Sequence, residues 1–131
     1  MQYKIMLIEH NRLLLEQLSK VIENAPDMEL EARFQSSSDA LGQGRVFSPN
    51  IILLDAEIGN ATELLQELIG VFPGAAVICT GEKWEAESTS HFIQAGASGY
   101  LIKPFSYNDL KAATKIYTAN GMEMDCHAMT F

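Results

Sequence analysis

Five residue types that could together move a phosphoryl group are spread along the chain: Glu9–His10, Asp55, Thr80 and Lys103. A carboxylate such as Asp55 can attack phosphorus. A hydroxyl such as Thr80 can donate to one phosphoryl oxygen, and the Lys103 ammonium can offset charge on another. Acidic oxygens near Glu9 could hold a divalent cation that neutralises the transferring group. Any one of these residues alone is weak evidence, because acids and lysines are ordinary at strand ends. Their shared setting joins them. Each follows a short apolar run: KIMLI before Glu9, NIILL before Asp55, AAVIC before Thr80 and GYLI before Lys103.

Those runs, with ELEARF, are five strand candidates. Between them lie stretches of helical period: Leu14, Leu18, Val21 and Ile22; Leu64, Leu65, Leu68 and Phe72; and Leu110, Ala113, Ile116 and Tyr117. Ser106 and Asp109 have capping-box spacing at the start of the last helix. Gly96 after FIQA suits a helix stop. The stretch from Asp39 to Phe47 is the weakest helix, because Gly42 and Gly44 lower its propensity. Strands joined by crossovers of this length imply a parallel α/β sheet with helices on both faces. The unbroken apolar character of strands one, three and four fits burial on both sides. Ligands of such sheets bind beyond the carboxyl ends of the strands, where the five residues meet.

The whole chain sets bounds on this reading. Its 131 residues, 47% hydrophobic and 20% charged, suffice for one folded domain. The net charge of −8 and the lack of any Lys/Arg cluster argue against a nucleic-acid surface within these residues. Cys79 and Cys126 form no disulfide framework or metal knuckle, and Cys79 reads as a small buried hydrophobe. No run has signal-peptide character or membrane-spanning length, so the expected location is the cytoplasm and no membrane partner is expected. Dinucleotide, Walker-type and zinc-helix motifs are absent, and GASG at 96–99 has the wrong spacing and context for a hydrolase elbow. A metal-dependent phosphatase using Asp55 would lack a second catalytic acid. An enzyme is therefore not expected. Residues 1–120 read as the domain, and 121–131, rich in Met, as a linker or tail that Gly121 separates from the last helix.

AGASGYLIKPF (95–105), with IILLD and VICTG, resembles the receiver domain of two-component response regulators over roughly Tyr3 to Asn120. The resemblance implies a CheY-like, flavodoxin-like (βα)5 fold with strand order 2-1-3-4-5. It implies Asp55 as phosphoacceptor, Thr80 and Lys103 as groups that sense the phosphoryl oxygens, Thr80 and Tyr100 as the switch pair, and a cis Lys103–Pro104 peptide bond. A magnesium ion would be held by Glu9, Asp55 and the main-chain carbonyl of Glu57. Trp84, Tyr100 and Tyr107 would lie near the output face of helix four, strand five and helix five. A histidine kinase or small phosphodonor, and a downstream protein or fused output domain, are the partners implied.

Two departures stand against the family pattern. Receivers usually carry two acids after the first strand, and His10 occupies the second place, which should weaken or abolish magnesium binding. After the acceptor, AEIGNATELL replaces the usual Met-Pro and Asp-Gly pairs. His10 itself is open to three readings: a ligand for a softer metal such as manganese or zinc, a pH-sensitive group, or a plain polar residue. The departures support an alternative function, a phosphorylation-independent pseudo-receiver used for dimerisation or localisation, such as those preceding MinD-like ATPases.

Overall fold

A computed structural model describes the backbone of residues 2–120 and the side chains of residues 2–114. The expected features of 121–131, including the stop at Gly121 and the Met-rich tail, lie outside the described residues, as do the side chains of Ile116 and Tyr117. Five strands and five α-helices alternate: β1 (Tyr3–Ile8), α1 (Arg12–Glu23), β2 (Met28–Phe34), α2 (Ser37–Gln43), β3 (Ile51–Asp55), α3 (Ala61–Val71), β4 (Ala76–Gly81), α4 (Ala86–Gln94), β5 (Gly99–Ile102) and α5 (Tyr107–Asn120). A short 3-10 turn, Gly44–Val46, follows α2. All pairings are parallel, in the order β2-β1-β3-β4-β5. This is the doubly wound architecture expected from the alternation of runs.

The two-residue period of the strands divides the interior into two cores. Ile5, Leu7, Ile51, Leu53, Ile78 and Leu101 face Leu15, Leu18 and Ile22 of α1 and Leu110 and Ala113 of α5. Met6, Ile8, Ile52, Leu54, Val77, Cys79 and Tyr100 face the other way, toward Ala40 of α2, Leu64, Leu65 and Leu68 of α3 and Phe92 of α4. Every residue of β3, Asp55 included, is buried. A polar end on such a strand has no water to turn to, so its partners must come from neighbouring strand ends.

Local signals fix several helix ends. Asn11 caps α1 by accepting from Leu14 N, and Ser36 caps α2 by accepting from Asp39 N. The Ser106–Asp109 box closes in both directions: Asp109 N donates to Ser106 Oγ and Ser106 N donates to Asp109 Oδ2, each at 3.1 Å. After α4, Gly96 takes a φ of +118°, with Gly96 N bonded to Ile93 O and Ala97 N to Phe92 O. That pair of bonds is a Schellman closure, and glycine supplies its positive φ without steric cost.

One expectation about a helix needs correction. Leu14 is only half-buried, and Leu15 takes the core position, because Leu15, Leu18 and Ile22 form the i, i+3, i+7 stripe that faces the sheet. Trp84 lies in the loop before α4, two residues ahead of Ala86, and not in the helix. Among the described residues, no helix is long and apolar enough to cross a membrane.

Candidate functional site

The carboxyl ends of β1, β3, β4 and β5 bring Glu9, His10, Asp55, Thr80 and Lys103 to one edge. Parallel register does this directly: Ile8 pairs with Leu54, Asp55 with Thr80, and Thr80 with Leu101. Lys103 follows one residue after β5, at the Lys103–Pro104 bond, which is cis.

The centre is a buried triad of charges. Lys103 Nζ donates to Asp55 Oδ1 and to Glu9 Oε1, both at 2.8 Å, and none of the three side chains reaches solvent. Lys103 and Glu9 are therefore not ordinary solvated charges at strand ends but members of an internal network. Glu57 N adds a third contact to this side, donating to Asp55 Oδ1 at 2.9 Å. On the other side, Asp55 Oδ2 accepts from His10 N at 3.2 Å and contacts His10 Nδ1 directly. Glu9 Oε2 accepts from Asn11 N at 3.1 Å and lies 3.6 Å from His10 Nδ1. The His10 side chain is half-exposed, so this side opens to water.

Charge and burial act in opposite directions here. Burial raises the Asp55 carboxyl, but the bonds from Lys103, His10 and Glu57 N outweigh it and leave Asp55 below its ordinary value. For Glu9 burial dominates, and its pKa ends raised. Burial works against a charged Lys103, but its two carboxylates raise it above the ordinary lysine value. The His10 imidazole is raised chiefly by its hydrogen bond to Asp55. Asp55 is thus held in its ionised form.

Thr80 is fully buried, and its hydroxyl donates to Leu54 O across a long 3.4 Å. Tyr100 is turned inward, with its hydroxyl donating to Lys83 O at 3.1 Å and its ring edge-on to Trp84, centroids 6.0 Å apart. This pose depends on Gly81, because a Cβ there would stand 1.8 Å from the Tyr100 hydroxyl. Sequence reading passed over Gly81, although its place directly after Thr80 was a signal. It also passed over the Glu57 carboxylate, which accepts from Glu82 N at 3.2 Å and joins the loops after β3 and β4.

Trp84, Tyr100 and Tyr107, expected near the output face, take different partners. Trp84 and Tyr100 touch, whereas Tyr107 packs against the α1 and α5 core and donates to Asp27 Oδ1 at 3.0 Å. The alternation of faces along the sheet separates them, since Tyr100 belongs to the opposite core.

The sequence profile of the response regulator receiver domain matches residues 5–115. The chain belongs to the receiver domain family. Among curated relatives, the transcriptional regulatory protein DegU of Brevibacillus brevis is 25% identical over 120 residues, covering 90% of this chain and 51% of DegU. A protein-glutamate methylesterase/protein-glutamine glutaminase of Nitrobacter winogradskyi is 27% identical over 114 residues, covering 84% of this chain and 27% of that protein. This receiver spans about half the length of the first curated relatives it matches. Among solved structures, the isolated receiver domain of RcsB from Salmonella enterica serovar Typhimurium, with the phosphomimetic BeF3−, superposes with a TM-score of 0.80 at 13% identity. That match covers 98% of this chain and 96% of the RcsB domain. The receiver domain of a NarL response regulator from Mycobacterium tuberculosis gives 0.78 at 16% identity, covering 92% and 98%. At such identities these likenesses establish the fold alone.

Proposed function

We propose that this receiver accepts a phosphoryl group on Asp55 and passes the change to the Thr80–Tyr100 region. The observation that carries the reading is the buried contact of Lys103 Nζ with an ionised Asp55 at the end of β3. Oδ1 is held by Lys103 and Glu57 N, which leaves Oδ2 as the oxygen on the open side. Attack by Oδ2 on a phosphohistidine or a small acyl phosphate forms an O–P bond as the donor's N–P or O–P bond breaks. The leaving imidazole keeps the bond pair and takes a proton from water, whereas an acyl donor departs as its carboxylate. The Lys103 ammonium then offsets charge on the acyl phosphate. The Thr80 hydroxyl, bound weakly to Leu54 O, is free to exchange that bond for a phosphoryl oxygen. Movement of Thr80 opens space for Tyr100, and the neighbouring Trp84 carries the change to the surface.

Receivers typically bind magnesium at this pocket, but the donor set here does not suit it. Glu9, His10 and Asp55 converge, and an imidazole is a poor substitute for the hard oxygens that magnesium requires. The partners we infer are a histidine kinase or small phosphodonor and an output domain or protein. The relatives named as transcriptional regulators suggest that this output acts on DNA.

The test is incubation with acetyl phosphate and several divalent cations in turn, followed by intact mass. Wild type gains one phosphoryl group and Asp55→Ala gains none. Absence of an Asp55-dependent adduct under every cation overturns the reading. The contact of His10 with Asp55 Oδ2 favours a second reading, a pseudo-receiver that works by binding alone. Under it, Asp55→Ala leaves self-association and partner binding unchanged.

A further inference from the structure

His10 sits opposite two carboxylate oxygens that no lysine holds. Lys103 takes Glu9 Oε1 and Asp55 Oδ1, which leaves Glu9 Oε2 and Asp55 Oδ2 facing His10 Nδ1. The three donor atoms lie within 4.8 Å of one another, and Glu9 Oε2 is 3.6 Å from Nδ1. Two atoms bound to tetrahedral zinc at about 2.0–2.2 Å stand about 3.4 Å apart, so the Glu9–His10 spacing already fits. The half-exposed imidazole contacts Asp55 Oδ2 directly, so it must turn outward for an ion to enter between them.

Access favours the same outcome. The outward side is open to water, as a fourth ligand position requires.

We propose that Glu9 Oε2, His10 Nδ1 and Asp55 Oδ2 form a site for a late first-row divalent cation of the zinc or cobalt type, in preference to magnesium. Imidazole suits these ions, and affinity rises along the series toward copper and zinc, whereas magnesium favours oxygen donors and gives up its water reluctantly. The inference deepens the phosphoacceptor reading and rests on it for its role in signalling, but the metal preference belongs to the unphosphorylated protein and is measured there.

The experiment is a Co2+ titration of the full chain followed by visible absorption, with Zn2+ binding measured by calorimetry in parallel. Wild type is expected to take up one Co2+, displaced by Zn2+ but not by a roughly 100-fold excess of Mg2+. His10→Ala loses the Co2+ spectrum. His10→Asp supplies an acid in its place, and Mg2+ then competes at about a tenth of that excess or less. His91→Ala, which alters an imidazole paired with Thr62 at a distance from the site, leaves the spectrum unchanged. Circular dichroism confirms that each variant is folded.

Co2+ uptake that survives His10→Ala, displacement by Mg2+ at comparable concentration, or no response in both absorption and calorimetry overturns the proposal. The two readings fail separately. A protein that binds Co2+ through His10 but never gains a phosphoryl group loses the acceptor reading and keeps the metal site. One that is phosphorylated equally well with magnesium and binds no Co2+ does the reverse.

Discussion

The two oxygens of Asp55 stand in contrasting surroundings. Oδ1 meets the buried Lys103, 48 residues away in sequence, and the main-chain N–H of Glu57. Oδ2 meets His10, a half-exposed residue of the loop after β1, and the solvent beyond it. The inner side is held by the closure of the sheet, because a change there would leave charges buried without partners. The outer side is a local loop whose residues can change without that penalty. This explains how the lysine half follows the family pattern while the cation half carries an imidazole.

Breaking the inner side should cost most. Lys103→Met leaves Glu9 and Asp55 buried together without a cation, and a loss of about 3–5 kcal/mol in urea unfolding is expected. Adding Glu9→Gln to Lys103→Met should recover part of that loss, because one unpaired charge is removed. Equal instability of the single and double variants would show that the charges are not the cause.

Gly81→Ala tests the neighbouring aromatic packing. The new methyl would overlap the Tyr100 hydroxyl at 1.8 Å, so the ring must leave its pocket, at an expected cost of about 1–3 kcal/mol. Trp84 emission should change with it, since the two rings are in edge contact. In a Tyr100→Ala background the same substitution should cost much less, and a full cost there would move the strain elsewhere.

The smallest effect is expected on the outer side. His10→Ala removes a half-exposed partner while Asp55 keeps Lys103 and two main-chain donors, so roughly 1 kcal/mol or less should be lost without added metal. A loss as large as that of Lys103→Met would erase the contrast between the two sides.

The strands were legible because their apolar runs must be buried on both faces, and the helix signals at Ser106 and Gly96 are short-range. Leu15 was missed because three consecutive leucines, 13 to 15, leave the helical phase ambiguous until α1 is docked on the sheet. The partner of Tyr107 was hidden for a similar reason, since its bond to Asp27 spans 80 residues. Gly81 stood in plain sight, but its meaning depends on where the Tyr100 ring lies.

By itself, the sequence determined the alternation of elements and the arrival of Glu9, His10, Asp55, Thr80 and Lys103 at one sheet edge. Chain direction and strand register are enough for that. Only the tertiary structure decided how those groups share their bonds: Lys103 between Glu9 and Asp55, His10 on the remaining oxygens, Tyr100 inward over Gly81. Such choices depend on distances of about 3 Å between strand ends and on the exclusion of water, which local sequence does not encode.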